Sequence, residues 1–285
     1  MKRKQSGFKI MMRLIKLVKP LAFFMVLAVI LGVTGFLCAI QITVFGSMTL
    51  LTAAGINGGL AIKTGCICII IFAVLRGFLH YGEQACNHYI AFKLLALIRD
   101  KVFKSLRKLT PAKLEGKDKG NLISLITSDI ELLEVFYAHT ISPICIAFLT
   151  SLVMLIFIGR YSIWLMLVAL AAYITVGIII PLVSSKFNKN IGMTYRENSG
   201  ALSGYVLDSM RGLLESIRYN STDTRLNEMN EKTDKLNSLQ KKLKKIEGDN
   251  ISITDISIIF FSITMLLVAI CLYQKGTIGF DGLIV

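Results

Sequence analysis

Residues 93–134, KLLALIRDKVFKSLRKLTPAKLEGKDKGNLISLITSDIELLE, form a long charged stretch between two apolar segments, and the rest of the chain is organised around it. Leu94, Ile98, Val102, Leu106 and Leu109 recur at helical spacing. Leu122, Leu125, Ile126, Leu133 and Phe136 do so again after a break, which predicts two amphipathic helices with a hinge between them. At the hinge, Thr110 followed by Pro111 supplies an N-cap and a first-turn proline, suited to a helix of one or two turns over 111–116. Gly116 and Gly120 then release the chain before Asn121 caps the next helix. The stretch is expected to be an arm that holds a short helix at the far tip of two long ones.

The flanks make it the arm of a membrane protein. Of the 285 residues 54% are hydrophobic, mean hydropathy is +0.65, and several charge-free runs approach or exceed the roughly 20 residues that span a bilayer. An ordinary soluble protein is excluded. A net charge of +14 would suit a nucleic-acid binder, but the basic residues follow topology and are not gathered beside aromatic residues that stack on bases. The expected partner is the lipid bilayer, with no nucleic acid.

In chain order, residues 1–19 carry seven Lys or Arg and no acid, directly before an apolar run that starts at Pro20 and lasts to about Leu51. That run far exceeds the about 7–15 residues of a signal peptide's apolar region, so it is read as a first span with a cytoplasmic, basic N-terminus at 1–19. Thr52–Leu60 is a small, uncharged outer loop. The second span begins near Ala61 and meets no Gly/Pro cluster before Thr110, which predicts one helix of about 70 Å. The bilayer core takes only about 30 Å of it, so the lower half projects into the cytoplasm.

Spans three (Val135–Ile158) and four (Ser162–Val183) are joined by Gly159-Arg160-Tyr161. Pro143 and Pro181 lie near their cytoplasmic ends and are expected to kink or loosen the helices without breaking them. A second excursion follows Lys186, with Leu202, Val206, Ser209 and Leu213 on one face. A polar break at Tyr219–Asp223 separates it from a return helix carrying Leu226, Met229, Leu236, Leu239, Leu243 and Ile246. Span five runs from about Ile251 to Tyr273, and GTIGFDGLIV starts a sixth element, so a fragment of a longer protein is expected. The fold class is an all-α membrane protein: five complete spans, the start of a sixth, and two long cytoplasmic helical extensions. Lys and Arg number seven in 1–19, nine in 93–135 and twelve in 186–249, which puts 28 of 32 on the proposed inside.

Within span two, Arg76, His80, Glu83, Gln84, Asn87 and His88 are related by steps of three and four residues and make a polar stripe on one face. Ionisable groups at membrane depth face a protein interior or a wet cavity, so Arg76, His80, Glu83 and Gln84 are the candidate substrate-cavity residues. An internal Arg76–Glu83 ion pair, or a lower end of the stripe already in water, is the structural alternative. His80 and His88 lack a partner at ligand spacing, and no metal site is expected. The six cysteines are read as reduced apolar filler, since Cys66 and Cys68 point to different sides of one helix. Asn220-Ser221-Thr222 and Asn250-Ile251-Ser252 match a glycosylation pattern but fall on the cytoplasmic side, where the match is chance.

Two helical hairpins extended into the cytoplasm, each with a short tip helix, resemble the transmembrane domain of the ABC exporters. The residues that carry the likeness are Leu97-Ile98-Arg99-Asp100-Lys101-Val102-Phe103 at the end of the long second helix, then Pro111 to Glu115. Gly120-Asn121-Leu122-Ile123-Ser124-Leu125-Ile126-Thr127-Ser128-Asp129 follows. The likeness covers the whole chain, with residues 20–285 as the transmembrane domain. A narrower one covers Arg76 to Pro143: His80-Tyr81-Gly82-Glu83-Gln84-Ala85-Cys86-Asn87-His88, with the later VFYAHTISP, is similar to the cysteine/glutathione exporter subunits of cytochrome bd assembly. Gln84 and His139 stand where that subfamily carries Arg.

The resemblance implies the permease part of a half-transporter in the plasma membrane, moving a substrate such as a small thiol or amino-acid derivative. It implies coupling helices at the two tips, Pro111, Ala112, Lys113, Leu114 and Glu115 in the first and Arg218, Tyr219, Asn220 and Ser221, within about Ser216–Asp223, in the second. It also implies a nucleotide-binding domain and a second transmembrane half as partners. This sequence has no GxxxxGK[ST] stretch to cradle phosphates, so the chain alone is not expected to hydrolyse ATP or hold a cofactor. ATP and Mg would enter through the separate domain. A membrane sensor or scaffold with helical hairpins is the alternative from another class; a secondary transporter is disfavoured by the charge-free spans and long arms.

Overall fold

The computed structural model describes residues 19–55, 59–109, 136–279 and 282. Among these the regular structure is entirely helical: α1 (Ala22–Ala53), α2 (Ile62–Leu109), α3 (Ser142–Gly159), α4 (Ile163–Ile174), α5 (Ile180–Arg211), α6 (Leu213–Arg218) and α7 (Thr222–Gln274). Five stretches are long and apolar enough to cross a membrane: Ala22–Ala53, Ile62–Lys108, His139–Gly159, Ile163–Lys186 and part of Thr222–Gln274. The all-α membrane fold read from the hydropathy pattern is the fold observed. The first tip, residues 111–115, lies outside the described residues, as does half of the expected sixth element.

The chain forms two compact units, one whose described residues lie within 19–157 together with Gly279 and Gly282, and one of Ile158–Ile278. In the first, α1 turns Ala28, Gly32, Gly35 and Cys38 toward its neighbours. A stripe of small residues lets helix backbones approach closely, which in a membrane replaces the hydrophobic drive available in water. A Cβ at Gly65 would strike the Thr49 side chain, so the α1–α2 pair also depends on a glycine near the loop that joins them. Toward the other end, Leu21, Ile90 and Leu94 form a buried cluster with Phe24, Met25, Phe136 and Ile141 around it.

In the second unit, Ser162 caps α4 by accepting a hydrogen bond from the Trp164 amide at 3.2 Å. Helices α5 and α7 lie side by side. The half-buried positions of α7 include Arg225, Met229, Thr233, Leu236, Leu239, Leu243, Ile246 and Asn250, a seam at steps of three and four, while Leu226 is exposed. Two polar contacts fasten it: Asn250 Nδ2 donates to Ser184 Oγ at 2.7 Å, and the Tyr205 hydroxyl donates to the Arg225 carbonyl at 3.3 Å. Lys232 Nζ stands 5.2 Å above the Tyr205 ring. Desolvation and the neighbouring Glu228 carboxylate push the Tyr205 phenol above its ordinary range.

Both span prolines are absorbed in the same way. A π-turn over Tyr137–Ile141 precedes Pro143 by two residues, and another over Thr175–Ile179 precedes Pro181 by two. Proline has no N–H to return one turn back, and the wider turn lets the Ile180 amide reach the Thr175 carbonyl, so the helix continues past Pro181. The expected loosening is therefore a π-turn, and α4 runs through it into α5.

The second tip sits slightly earlier than the polar residues suggest. The short helix is Leu213–Arg218, after a break at Gly212, and Tyr219–Ser221 form the reversal. Asn220 adopts φ 51°. The Ser221 amide bonds the Ser216 carbonyl at 2.9 Å and the Asn220 amide bonds Ile217 at 3.2 Å, a Schellman motif with asparagine in the left-handed position. Polar turn chemistry marked the stop after the helix, not the helix itself.

Candidate functional site

Arg76, His80 and Glu83 all lie on α2, in its polar stripe. Counted from Ile62 at about 1.5 Å per residue, Arg76 lies about 21 Å and Glu83 about 31 Å along the helix, so a hydrocarbon core of about 30 Å entered near Ile62 would hold Arg76 in its far half and Glu83 at its far edge. The same stretch of α2 faces the glycines of α1. Gly32, Gly35, Phe36, Ala73, Arg76, Gly77, His80 and Glu83 together line a cleft of about 260 Å³.

Glu83 is buried, and its carboxylate is held at both oxygens. His80 Nδ1 lies 3.2 Å from Oε2, and Asn87 Nδ2 donates to Oε1 at 3.3 Å. Arg76 is exposed and makes no ion pair among the described residues, so the structure does not contain the Arg76–Glu83 pair. A buried carboxylate needs such partners because desolvation of its charge is costly. Gly32 fixes how closely α1 approaches: a Cβ there would collide with the Ile146 side chain of α3 and lie 3.4 Å from Glu83 Cδ.

The stripe does not act as one group. Gln84 is half-buried but does not line the cleft, and Asn87 is buried beneath Glu83 with its Oδ1 lacking a hydrogen-bond partner among the described residues. His88 turns elsewhere, stacking on Phe92 and meeting the His139 ring edge-to-face at 6.0 Å. Among the described residues no three His, Cys, Asp or Glu side chains converge on a metal position. The six cysteines are all free.

Sequence reasoning named the charged wall of the cleft and missed the other wall, Gly32, Gly35 and Phe36 of α1. The signal was present as two glycines three residues apart in an apolar run, a spacing that favours close helix approach.

At the second tip, Arg218 ends α6, Tyr219 and Asn220 form the turn, and Ser221 precedes α7. Around them Met210, Leu213, Leu214, Ile217 and Tyr219 are exposed, Tyr219 at 82%. So much apolar side chain at the end of an otherwise polar arm is characteristic of a contact surface.

Comparison with known proteins agrees with this architecture. Residues 21–285 match the family model for the ABC transporter transmembrane region. The chain is 42% identical over 282 residues to a probable ABC transporter ATP-binding/permease protein of Haemophilus influenzae, a match covering 99% of this chain and 51% of that protein. Over 157 residues it is 24% identical to the glutathione/L-cysteine transport system ATP-binding/permease protein CydC of the same organism, covering 55% and 27% of the two chains. Over 123 residues it is 28% identical to the ATP-dependent lipid A-core flippase of Shewanella frigidimarina, covering 43% and 20%. The chain thus spans about half the length of the first of these relatives. With the matched region running through every described span and arm, the chain belongs to the ABC transporter transmembrane-region family.

Proposed function

We propose that this chain is the membrane half of an ATP-driven exporter in the plasma membrane, with its N-terminus in the cytoplasm. In this reading the α1–α2 cleft receives the substrate, and the two arm tips take up motion from a nucleotide-binding domain that supplies ATP and Mg. A second transmembrane half completes the pathway. The cleft carries the reading: one wall brings a cationic Arg76 to membrane depth and a hydrogen-bonded Glu83 carboxylate to its edge, beside a glycine-lined wall that leaves room for a small molecule.

The charges define what would fit. Arg76 would take an anionic group of the substrate, and the His80–Glu83 pair an amine or other donor. A small thiol or amino-acid derivative has that pattern, and one relative's name refers to glutathione and L-cysteine transport. Gln84, off the cleft wall, would contribute only if α2 rotates during the cycle. Coupling falls to residues 111–115 and to Arg218, Tyr219, Asn220 and Ser221, with the exposed apolar residues of α6 as the surface that enters the ATPase domain.

The test is ATP-dependent uptake of labelled cysteine and glutathione into inside-out vesicles carrying the complete transporter. Saturable uptake that falls at least tenfold in Glu83→Gln is expected. Failure of every thiol and amino-acid derivative to be transported, or to stimulate ATPase activity, would remove the substrate assignment.

A further inference from the structure

Below the α1–α2 cleft, the helices of the first unit bury a further set of polar atoms that do not line it. Gly32 of α1 marks one level of this packing, since a Cβ there would meet the Ile146 side chain of α3 and lie 3.4 Å from Glu83 Cδ of α2. The ring contacts Phe24–Tyr89, 4.6 Å between centroids, and His88–His139, 6.0 Å, show α2 running antiparallel to its two neighbours. One turn from the Gly32 level, in the direction of those rings, stand Ala28, Asn87 and Ser142, and all three are buried.

This layer holds two oxygens in need of a partner. Asn87 Oδ1 and Ser142 Oγ are both buried without a hydrogen bond among the described residues. Withdrawing such atoms from water is costly unless something satisfies them. Ile146 and the Leu21–Ile90–Leu94 cluster close the layer on its two sides, while Ala28 contributes only a methyl group. Pro143, next to Ser142, has no N–H, which leaves the carbonyls of the preceding turn one donor short.

Charge decides what fits. Glu83, one turn from Asn87, is buried against Asn87 Nδ2 and His80 Nδ1, neither of which is a permanent cation. Arg76, two turns away on α2, makes no ion pair among the described residues. A water molecule would satisfy the neutral oxygens but leave the carboxylate charge without an offset. Carboxylate, amide carbonyl and hydroxyl oxygens are together the ligands of a hard cation, and their single negative charge matches a monovalent one.

We propose that this layer is a sodium site, in which Asn87 Oδ1, Ser142 Oγ and the Glu83 carboxylate hold one sodium ion between α2 and α3. Asn87 spans the site, with Nδ2 on the carboxylate and Oδ1 on the ion. Glu83 also lines the cleft, which gives the ion its way in. The bound ion ties α3 to the carboxylate wall of the cleft, whatever the cleft transports.

The experiment is equilibrium binding of radioactive sodium to the purified complete transporter, in choline chloride at constant ionic strength and without substrate or nucleotide. Saturable binding of one ion per copy of this chain is expected, displaced by unlabelled sodium. Ser142→Ala lowers the affinity by about tenfold or more, and Glu83→Gln abolishes binding. Ser142→Ala removes a hydroxyl that has no partner among the described residues, so thermal stability falls relative to the parent in sodium and not in choline. That contrast carries the test if Glu83→Gln does not assemble. Absence of saturable binding in the parent, or parental affinity in Ser142→Ala, overturns the proposal. So does an equal loss of stability by Ser142→Ala in both salts, which is the mark of a purely structural serine.

Discussion

Asn250 donates a 2.7 Å hydrogen bond to Ser184 across 66 residues of sequence, and Asn188 donates to the Ser184 carbonyl at 3.0 Å on the same side. Ser184 therefore anchors α7 to α5 close to where the apolar spans give way to the polar arm. Removing a neutral, partly buried hydrogen bond costs about 1 kcal/mol. Asn250→Ala and Ser184→Ala are each expected to lose about that much, and the double variant little more, since both remove the same bond. Chemical denaturation of the purified transporter followed by tryptophan fluorescence measures it; full additivity of the two losses would show that the contact contributes nothing.

At the α1–α2 cleft, Gly32→Ala forces a methyl against Ile146, and overpacking of this kind costs about 1–3 kcal/mol. Ile146→Ala opens the opposing side, so the pair should recover stability that Gly32→Ala alone loses. The double-mutant cycle in thermal stability is the check. Equal stability of Gly32→Ala and the parent would mean that the close approach of α1 is unnecessary.

Arg76→Ala should raise the KM for an anionic substrate about tenfold, corresponding to loss of roughly 1.4 kcal/mol of binding, while basal ATP hydrolysis persists. Arg76 makes no ion pair among the described residues, so its removal leaves no partner stranded. A collapse of basal ATPase activity would instead assign Arg76 a structural role.

Leu114→Asp tests coupling at the first tip, whose residues lie outside those described. A charge forced into an apolar socket on the ATPase domain costs on the order of 3–5 kcal/mol, so transport should be lost while substrate binding survives. Wild-type transport and substrate-stimulated ATPase activity in vesicles would rule out a coupling role for residues 111–115.

At the second tip, the φ of 51° at Asn220 decides which residues are tolerated. Asn220→Gly should match or exceed the parent in resistance to limited proteolysis between α6 and α7. Asn220→Val pays the left-handed penalty of about 1–2 kcal/mol and should be cut faster. Identical cleavage of the two variants would mean the turn opens in solution regardless of its backbone.

The spans, the described parts of the arms and the cationic side of the cleft are legible in residue order alone, because those features are one-dimensional. Charge-free runs of bilayer length, helical spacing of Leu94 to Leu109, and a polar stripe at steps of three and four follow from helix geometry alone. Pro143 and Pro181 announced loosened helices for the same local reason. What those elements meet is a matter of packing between distant segments. Glu83 is joined to His80 and Asn87 and not to Arg76, Gly32 and Gly35 of α1 supply the second wall, and Ser184 finds Asn250 a whole arm away. Such pairings depend on side-chain volume and close helix approach between segments distant in the chain, and no periodicity along one segment encodes its neighbour.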